Sequence, residues 1–520
     1  MKKWSILVLT GLLTLLWTSA SWAIEFKLKG QWNMGFAIGD TSLIYKTRNG
    51  AGVKHKASSQ DVFAARQRLL IQMDAIASDN LEGSVQFHIG PQQWGRAGWQ
   101  GGALGADSNQ IIKVRQAYID WLIPGTSVRT RMGIQNFALP NAAGGSAVFD
   151  LRAAAINLHT DFNDTFGLNF MWFRPFNDNY AAVAGDNSKD SANYLDNMDF
   201  FVLTLPMNFE SVELTPWAMF GIRGRNTGEW ADYRNNGLWD GAPAVSMTPY
   251  LAALSGGGGL NVVDYGRTSK SYGSMFWAGL PLKVKAFAPF NFELDLNYGY
   301  VEEMGRFTTM VRNNPNDLRR GSTLRQGWLV KALMEYKMDW GTPGLFGWYS
   351  SGDDGDIKNG SERMPGVSPY VYTTSFMGDG NLYWSPRNDF QDLNVSLAGT
   401  WGIGLQLADM SFLEDLTHTF RAAWWGGTNS PSMVKFMDSA YAWNSTTCIF
   451  DGPYLTTNDG LLELNLVNVY KIYENLDINV ELGYIANYMD DGTWKRSWNG
   501  FGSYDKQDIW KAHMIVTYKF

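Results

Sequence analysis

The chain has a single cysteine, Cys448, in 520 residues, which excludes a disulfide-built scaffold. It is poor in charge: Asp, Glu, Lys and Arg make up 18% of it, against roughly 25% in ordinary soluble domains. Long apolar runs are missing too. Past the N-terminus nothing approaches the roughly 18 uninterrupted apolar residues of a membrane helix. No linker-like stretch or internal repeat divides the chain, although its length alone would predict three or four domains. There is no Gly-x-Ser-x-Gly elbow, no His-Glu-x-x-His pair and no phosphate loop, so neither an enzyme nor a cofactor is expected. The formal charge of -7 argues against nucleic acid as a partner. What the chain does have is rings and glycine, with 14% aromatics and 55 Gly. Disorder is excluded by the 45% hydrophobic content.

The N-terminus reads as an export signal. Lys2 and Lys3 precede an apolar segment from Trp4 to Trp17, and Ser21-Trp22-Ala23 supplies a small-residue cleavage site. Cleavage after Ala23 removes two lysines, moving the net charge from -7 to -9 and leaving 520 − 23 = 497 residues.

From there one pattern recurs. Ile24, Phe26, Leu28, Trp32, Met34, Phe36 and Ile38 alternate with Glu25, Lys27, Lys29, Gln31 and Asn33. Alternate strand residues point to opposite faces, so one face is apolar and the other is charged. The same alternation marks segments 290–300, 328–337, 476–484 and 510–520. A charged face cannot be a second core, because unpaired buried charge is too costly. A closed barrel with a wet lumen and an apolar exterior satisfies both faces. Trp328 and Tyr336, like Trp510 and Tyr518, share a face eight residues apart. That is about 26 Å along a strand, or roughly 20 Å of height once tilted, near the separation of two aromatic girdles.

Connections alternate in length. Short ones fall at 78–80, 123–126, 161–164, 338–339 and 474–475; long ones span 39–60, 91–110, 177–197, 223–272, 352–393 and 427–458. The fold class is therefore all-β: a transmembrane antiparallel β-barrel of eighteen strands (sixteen is the alternative count), with short periplasmic turns and long external loops. The domain reading is a signal peptide, 1–23, and one barrel, 24–520.

The chain's end, Phe520 with Tyr518, Val516, Met514 and Ala512 at alternate positions, resembles the C-terminal insertion signal of bacterial outer-membrane barrels. Phe63-Ala64-Ala65-Arg66-Gln67-Arg68-Leu69, Val114-Arg115-Gln116-Ala117-Tyr118 and Arg131-Met132-Gly133-Ile134-Gln135 resemble the arginine-bearing wall strands of the general porins. The start Ile24 to Trp32 and the stretch Tyr349 to Asp354 resemble the homotrimeric porins of Desulfovibrio-type bacteria. The resemblance implies a passive homotrimeric channel in the outer membrane of a Gram-negative bacterium, in contact with outer-membrane lipid and lipopolysaccharide, passing small hydrophilic solutes and ions. It also implies that segment 136–152 folds into the pore as the third loop. The loop departs from the family in one respect: Leu139 to Phe149 carries no carboxylate, and Asp150 is the only acid before Arg152. Backbone groups of Ala142, Gly144 and Gly145 are what it can offer instead.

Arg66, Arg68, Arg115, Arg129 and Arg131, with Asp150, are the candidate constriction residues; five guanidiniums on neighbouring walls would focus anions. Local pairing of these arginines, with Asp74 and Glu82 for example, is the competing reading. Tyr518 and Phe520 are the candidate insertion signal. The five histidines, 55, 88, 159, 418 and 513, show no ligand spacing, so no structural metal is expected. Asp353, Asp354 and Asp356, with Asn359 and Glu362, form a weak calcium candidate that Lys358 interrupts. Cys448 reads as a free thiol. A substrate-selective, sugar-type channel and a secreted polysaccharide-binding or polysaccharide-cleaving β-protein are the alternative functions.

Overall fold

The computed structural model describes residues 24–39, 43–46, 63–95, 103–104, 112–177, 197–224, 272–303, 306–312, 314–376, 396–437, 440, 453–497 and 504–520. The export signal 1–23, His55, Cys448 and the middles of the longest loops lie outside the described residues.

Eighteen strands close on themselves. They are β1 (Glu25–Gly39), β2 (Ala64–Ser78), β3 (Leu81–Gln93), β4 (Lys113–Leu122), β5 (Arg129–Ala138), β6 (Asp150–Asp161), β7 (Gly167–Asn177), β8 (Asn197–Thr204) and β9 (Trp217–Gly224). The second half contains β10 (Tyr272–Val284), β11 (Phe290–Val301), β12 (Arg325–Tyr336), β13 (Thr342–Ser350), β14 (Thr400–Leu413), β15 (Leu416–Gly427), β16 (Gly460–Tyr473), β17 (Leu476–Asn487) and β18 (Ile509–Lys519). Each strand pairs antiparallel with its sequence neighbour, and β1 closes the ring by pairing with both β2 and β18. The short two-strand extension Met207–Asn208 with Val212–Leu214 lengthens the β8–β9 hairpin at its turn. Closure leaves no sheet edge to pair with a stranger.

The alternation keeps its sense everywhere it was read, and burial shows which face is which. On β18, Lys511, His513 and Thr517 are only 3%, 3% and 8% exposed, while Trp510, Met514 and Tyr518 are 39%, 37% and 42% exposed. The polar side is inside and the apolar side is outside, the inverse of a soluble sandwich. Such an exterior needs an apolar solvent. Trp328, 44% exposed, lies on the same outer face and stacks on Tyr349 at 5.3 Å.

The chain ends meet beside the short turns. Phe520 N–H donates to the Gly30 carbonyl and Gly30 N–H donates to the Phe520 carbonyl. The Phe520 ring lies over Gly30, where a Cβ would sit 2.3 Å from the ring. Glycine is thus required for the close approach of this terminal ring.

The interior differs from the expected wet lumen over more than half the ring. Inward residues of β7 to β10 are apolar: Phe173, Phe200, Met219, Met275 and Trp277 are fully or almost fully buried. They stack on one another, Phe173 on Phe200 at 4.9 Å and Phe200 beside Trp277 at 5.7 Å. Further round, Trp425, Tyr454 and Trp494 are equally buried. Folded-in loops cover them: Trp277 Nε1, for example, donates to the Pro365 carbonyl at 2.9 Å. By contrast inward Gln72, Gln86, Gln116 and Arg131 on β2 to β5 are only partly buried. The open part of the lumen therefore runs along β1 to β6.

Replacing Gly30 with Leu should evict the Phe520 ring and cost about 1–3 kcal/mol, the usual cost of overpacking. The check is the urea midpoint together with the fraction migrating as the compact unboiled species. An unchanged midpoint would refute the seat.

Candidate pore and its arginine face

The segment between β5 and β6 is the arm that shapes the lumen. β4 and β5 stay paired only up to Ala117 and Ile134, whereas β5 and β6 continue to Ala138 and Asp150. Gly133 marks the parting, with φ +131° and the β4 backbone so near that a Cβ would meet the Ala117 carbonyl oxygen at 2.2 Å. The expected third loop is thus a strand hairpin with a connection of 139–149, rather than irregular from 136 to 152. Phe137 and Phe149 pack on Phe173 at 5.6 and 5.0 Å, so one side of the arm joins the apolar cluster.

The tip crosses the lumen and docks on β11 and β12 through its backbone. Ala143 N–H donates to Glu293 Oε2 at 2.7 Å, and Lys331 Nζ donates to the Gly145 carbonyl. Lys331 Nζ also lies 3.2 Å from Asp295 Oδ2, with both side chains at most 1% exposed. A second loop, 351–376, repeats the device on β16 to β18. Phe376 N–H donates to Glu463 Oε1 at 3.0 Å, Ser375 N–H donates to Asn465 Oδ1 at 3.2 Å, and Lys511 Nζ donates to the Ser375 carbonyl. Lys511 pairs with Glu481 at 3.2 Å. The two loops meet as a two-strand ladder, Gly145–Ser146 against Tyr370–Val371. The backbone groups of Ala143 and Gly145 are spent on docking the tip, and their partners, Glu293 and Lys331, sit in the far wall.

The candidate arginines separate into two groups. Arg129 and Arg131 sit near the short turn 123–128 and share Asp120, at 2.8 and 2.9 Å. Arg129 also donates to the Asp79 carbonyl at 3.0 Å, and the Arg131 guanidinium lies 4.4 Å over the Tyr118 ring. Their local carboxylate is Asp120, not Asp74 or Glu82; Asp74 is taken by Lys29 at 3.1 Å. Arg68 and Arg115 lie higher and belong together, with Arg152 of the arm near enough to repel both. Arg66 and Arg68 both face inward, opposite Gly35 and Asn33 of β1. Arg115 owes its place to a β-bulge: the β3–β4 register jumps between Gln86–Gln116 and Phe87–Val114, so Arg115 and Gln116 together oppose one residue. Such a bulge re-aims a side chain that strict alternation would turn outward. Asp150 lies beside Arg152. Below them Gln72, Gln86 and Gln116 form a hydrogen-bonded ladder across β2, β3 and β4 at 3.3 Å. Arg152 escaped the sequence reading, although its place next to Asp150 in the candidate loop is a signal that could have found it.

The calcium candidates lie in the outer loop after β13, with oxygens already engaged. Asp353 accepts from Ser361 Oγ at 2.6 Å and from the Tyr454 hydroxyl at 2.7 Å. Asp354 accepts from Asn359 Nδ2 at 2.9 Å and Asp356 N–H at 2.7 Å, and Asp356 accepts from Lys358 N–H at 3.0 Å. Among the described residues no three metal-ligating side chains converge. Partial burial, with Asp353 and Asp354 nearby, pushes the Glu362 carboxyl up to about 7.

No protein-family model matches the sequence, and no curated protein matches it. Solved barrels resemble it in outline. Pseudomonas aeruginosa OccK8 (OprE) shares 9% identity at a TM-score of 0.48, covering 95% of this chain and 98% of that one. Pseudomonas aeruginosa OprD shares 12% at 0.47, covering 95% of each chain. Acinetobacter baumannii OccAB2 shares 12% at 0.48, covering 95% and 98%. The class is fixed by the strand register itself: an eighteen-stranded closed barrel whose lumen is partly filled by its own loops.

Two outcomes are expected. Lys331→Met leaves Asp295 buried without its cation and should cost about 3–5 kcal/mol, whereas Lys331→Met with Asp295→Leu should recover most of that; chemical unfolding of both variants is the check. For Glu362 the folded-state carboxyl ionises at higher pH than the ordinary value of 4.5. Between those values the folded loop holds a proton that the open loop has released, so loop stability falls as pH rises from about 4.5 to about 7 and is flat above. Proteolysis of the loop across this range should accelerate with pH, and Glu362→Gln should flatten the profile.

Proposed function

We propose that the chain is an outer-membrane porin of a Gram-negative bacterium, exported by a signal peptide cleaved after Ala23. It forms a water-filled channel for passive diffusion of small hydrophilic solutes and ions. The observation that carries this reading is the inversion of the barrel: a charged, partly solvated wall inside and an apolar, ring-bearing wall outside. Beside the arm, Arg66, Arg68 and Arg115, with Asp150, make the narrow passage, and their excess of positive charge favours anions. Arg129 and Arg131 contribute less to that field, because Asp120 balances them. Screening at physiological salt acts within about 8 Å, so only a narrow passage feels the charge. Tyr518 and Phe520 serve as the insertion signal. Assembly as a homotrimer, among lipid and lipopolysaccharide, is proposed on the family resemblance alone.

The selective, sugar-type alternative draws less support. Trp217, Trp277, Trp348 and Trp425 point inward, but packing leaves them at most 5% exposed, so they cannot form a stacking path. A soluble polysaccharide protein is disfavoured by the exposed apolar exterior.

Purified protein in planar bilayers should give stepwise ohmic conductance, with a reversal potential in a KCl gradient that favours chloride. Arg115→Gln should move that potential toward potassium more than Arg129→Gln does. Correctly folded protein without conductance would end the porin reading.

A further inference from the structure

A cavity of about 520 Å³ opens on the outer wall, at the border between the ring-bearing face and the external loops. Its lining includes Tyr298, Trp328 and Tyr349 from β11, β12 and β13, with Gln326, Glu362 and Thr428. The three rings are exposed. Tyr298 lies opposite Trp328 in the strand register, and Trp328 stacks on Tyr349 at 5.3 Å. Ser351 ties the loop to the ring strand. Its N–H donates to the Trp328 carbonyl at 3.0 Å, its Oγ accepts from Trp328 N–H at 2.9 Å, and the same hydroxyl donates to the Glu362 carbonyl at 2.5 Å. Gly352 lets Thr428 close the far side, since a Cβ there would lie 2.5 Å from Thr428.

Glu362 is the one charged residue of this lining. Its Oε2 accepts from Asp354 N–H at 3.1 Å. Among the described residues the charges acting on it are Asp353 and Asp354, and no cation joins them. A carboxylate so placed gains from an arriving positive charge. A bare metal ion is poorly served, because calcium takes about six or more oxygen ligands and one carboxylate lines the cavity. Exposed Trp and Tyr faces instead attract organic cations, and a protonated amine lying on them can also donate to Glu362. The wall below the rings favours an amine that carries a tail. There the register pairs Ala332 of β12 with Gly347 of β13, both on the outer face, directly beneath Val330 and Tyr349. Two such small residues leave a shallow furrow running down the apolar exterior from the cavity.

We propose that this cavity binds a membrane lipid whose headgroup carries a protonated amine, with the amine between Glu362 and the rings of Trp328 and Tyr349 and the acyl chain along the furrow at Ala332 and Gly347. This rests on the porin reading for the membrane around the barrel, but the site lies outside the lumen and its occupancy does not require conduction.

Dihexanoyl-phosphatidylethanolamine is the probe, and dihexanoyl-phosphatidylglycerol is the amine-free control. Calorimetry on the folded, detergent-solubilised full chain should show saturable binding of the first, one per chain, and none of the second. Glu362→Gln and Trp328→Ala should each weaken binding about tenfold or more, the loss of one charged or cation–π contact. Ala332→Leu, which fills the furrow, should weaken it as well. Trp510→Ala removes an exposed outer ring on β18 and should change nothing. Glu362→Gln alters the loop and not the barrel wall, so it decides the matter if Trp328→Ala does not fold. Equal binding of phosphatidylglycerol, or unchanged affinity in folded Glu362→Gln, overturns the site. Free ethanolamine binding as tightly as the lipid overturns the lipid as occupant. Binding by folded protein that gives no conductance keeps the site and instead removes the porin reading.

Discussion

Two buried lysines organise this barrel. Lys331 and Lys511 stand on the inner wall, each beside a carboxylate of the adjacent strand and each donating to a loop carbonyl. A lysine so deeply desolvated is costly alone, and its pairing with a carboxylate offsets the cost only when further hydrogen bonds complete the site. The loops complete the lysines' share of those bonds, while Asp295 and Glu481 have the ion pairs themselves. Gly145 and Ser375 supply the acceptors, and the N–H groups of Ala143 and Phe376 supply donors to Glu293 and Glu463. The charged pairs therefore fix the loops, and the loops make the charged pairs tolerable. Neither is favourable without the other.

The consequence is a divided lumen. With the arm fixed on β11 and β12 and the second loop fixed on β16 to β18, the space over β7 to β18 fills with rings and loop backbone. What stays open is the strip along β1 to β6, where inward Gln72, Gln86, Gln116 and the arginines stand with Lys29, Asp74, His88 and Asp120. An eighteen-stranded barrel is wide enough for a large pore, and here most of that width is given to a hydrophobic core inside the sheet.

The barrel was legible because alternation with period two survives in nearly every strand, and because the contrast between Lys511 or His513 and Trp510 or Met514 names the faces. It was least legible across β6 to β9, for the reason now visible. There Met171, Phe173, Phe200 and Met219 are apolar on the inner face as well, so the contrast that period-two reading needs is gone. The arm was found by its position after the arginine-bearing strands. Its docking partners were not, since Glu293 is 150 residues from Ala143 and only the closed sheet brings them together. Arg115 faces inward because of a bulge, which leaves no mark in a residue-type pattern. The rings were expected at the girdles, and a second population, packed beneath the loops, needed the folded-in segments to be seen.

The acid-free arm and the arginine face are two sides of one arrangement. An arm bearing carboxylates could have neutralised Arg68 and Arg115 directly across the passage. This one carries only Asp150 at its root, and its tip uses backbone groups to reach acids already placed in the far wall. Glu293, Asp295, Glu463 and Glu481 are thereby engaged with lysines and loop amides on that side, and they are withheld from the arginines by the packed core between. The acids of the far wall hold the loops in place, on the side away from Arg68 and Arg115.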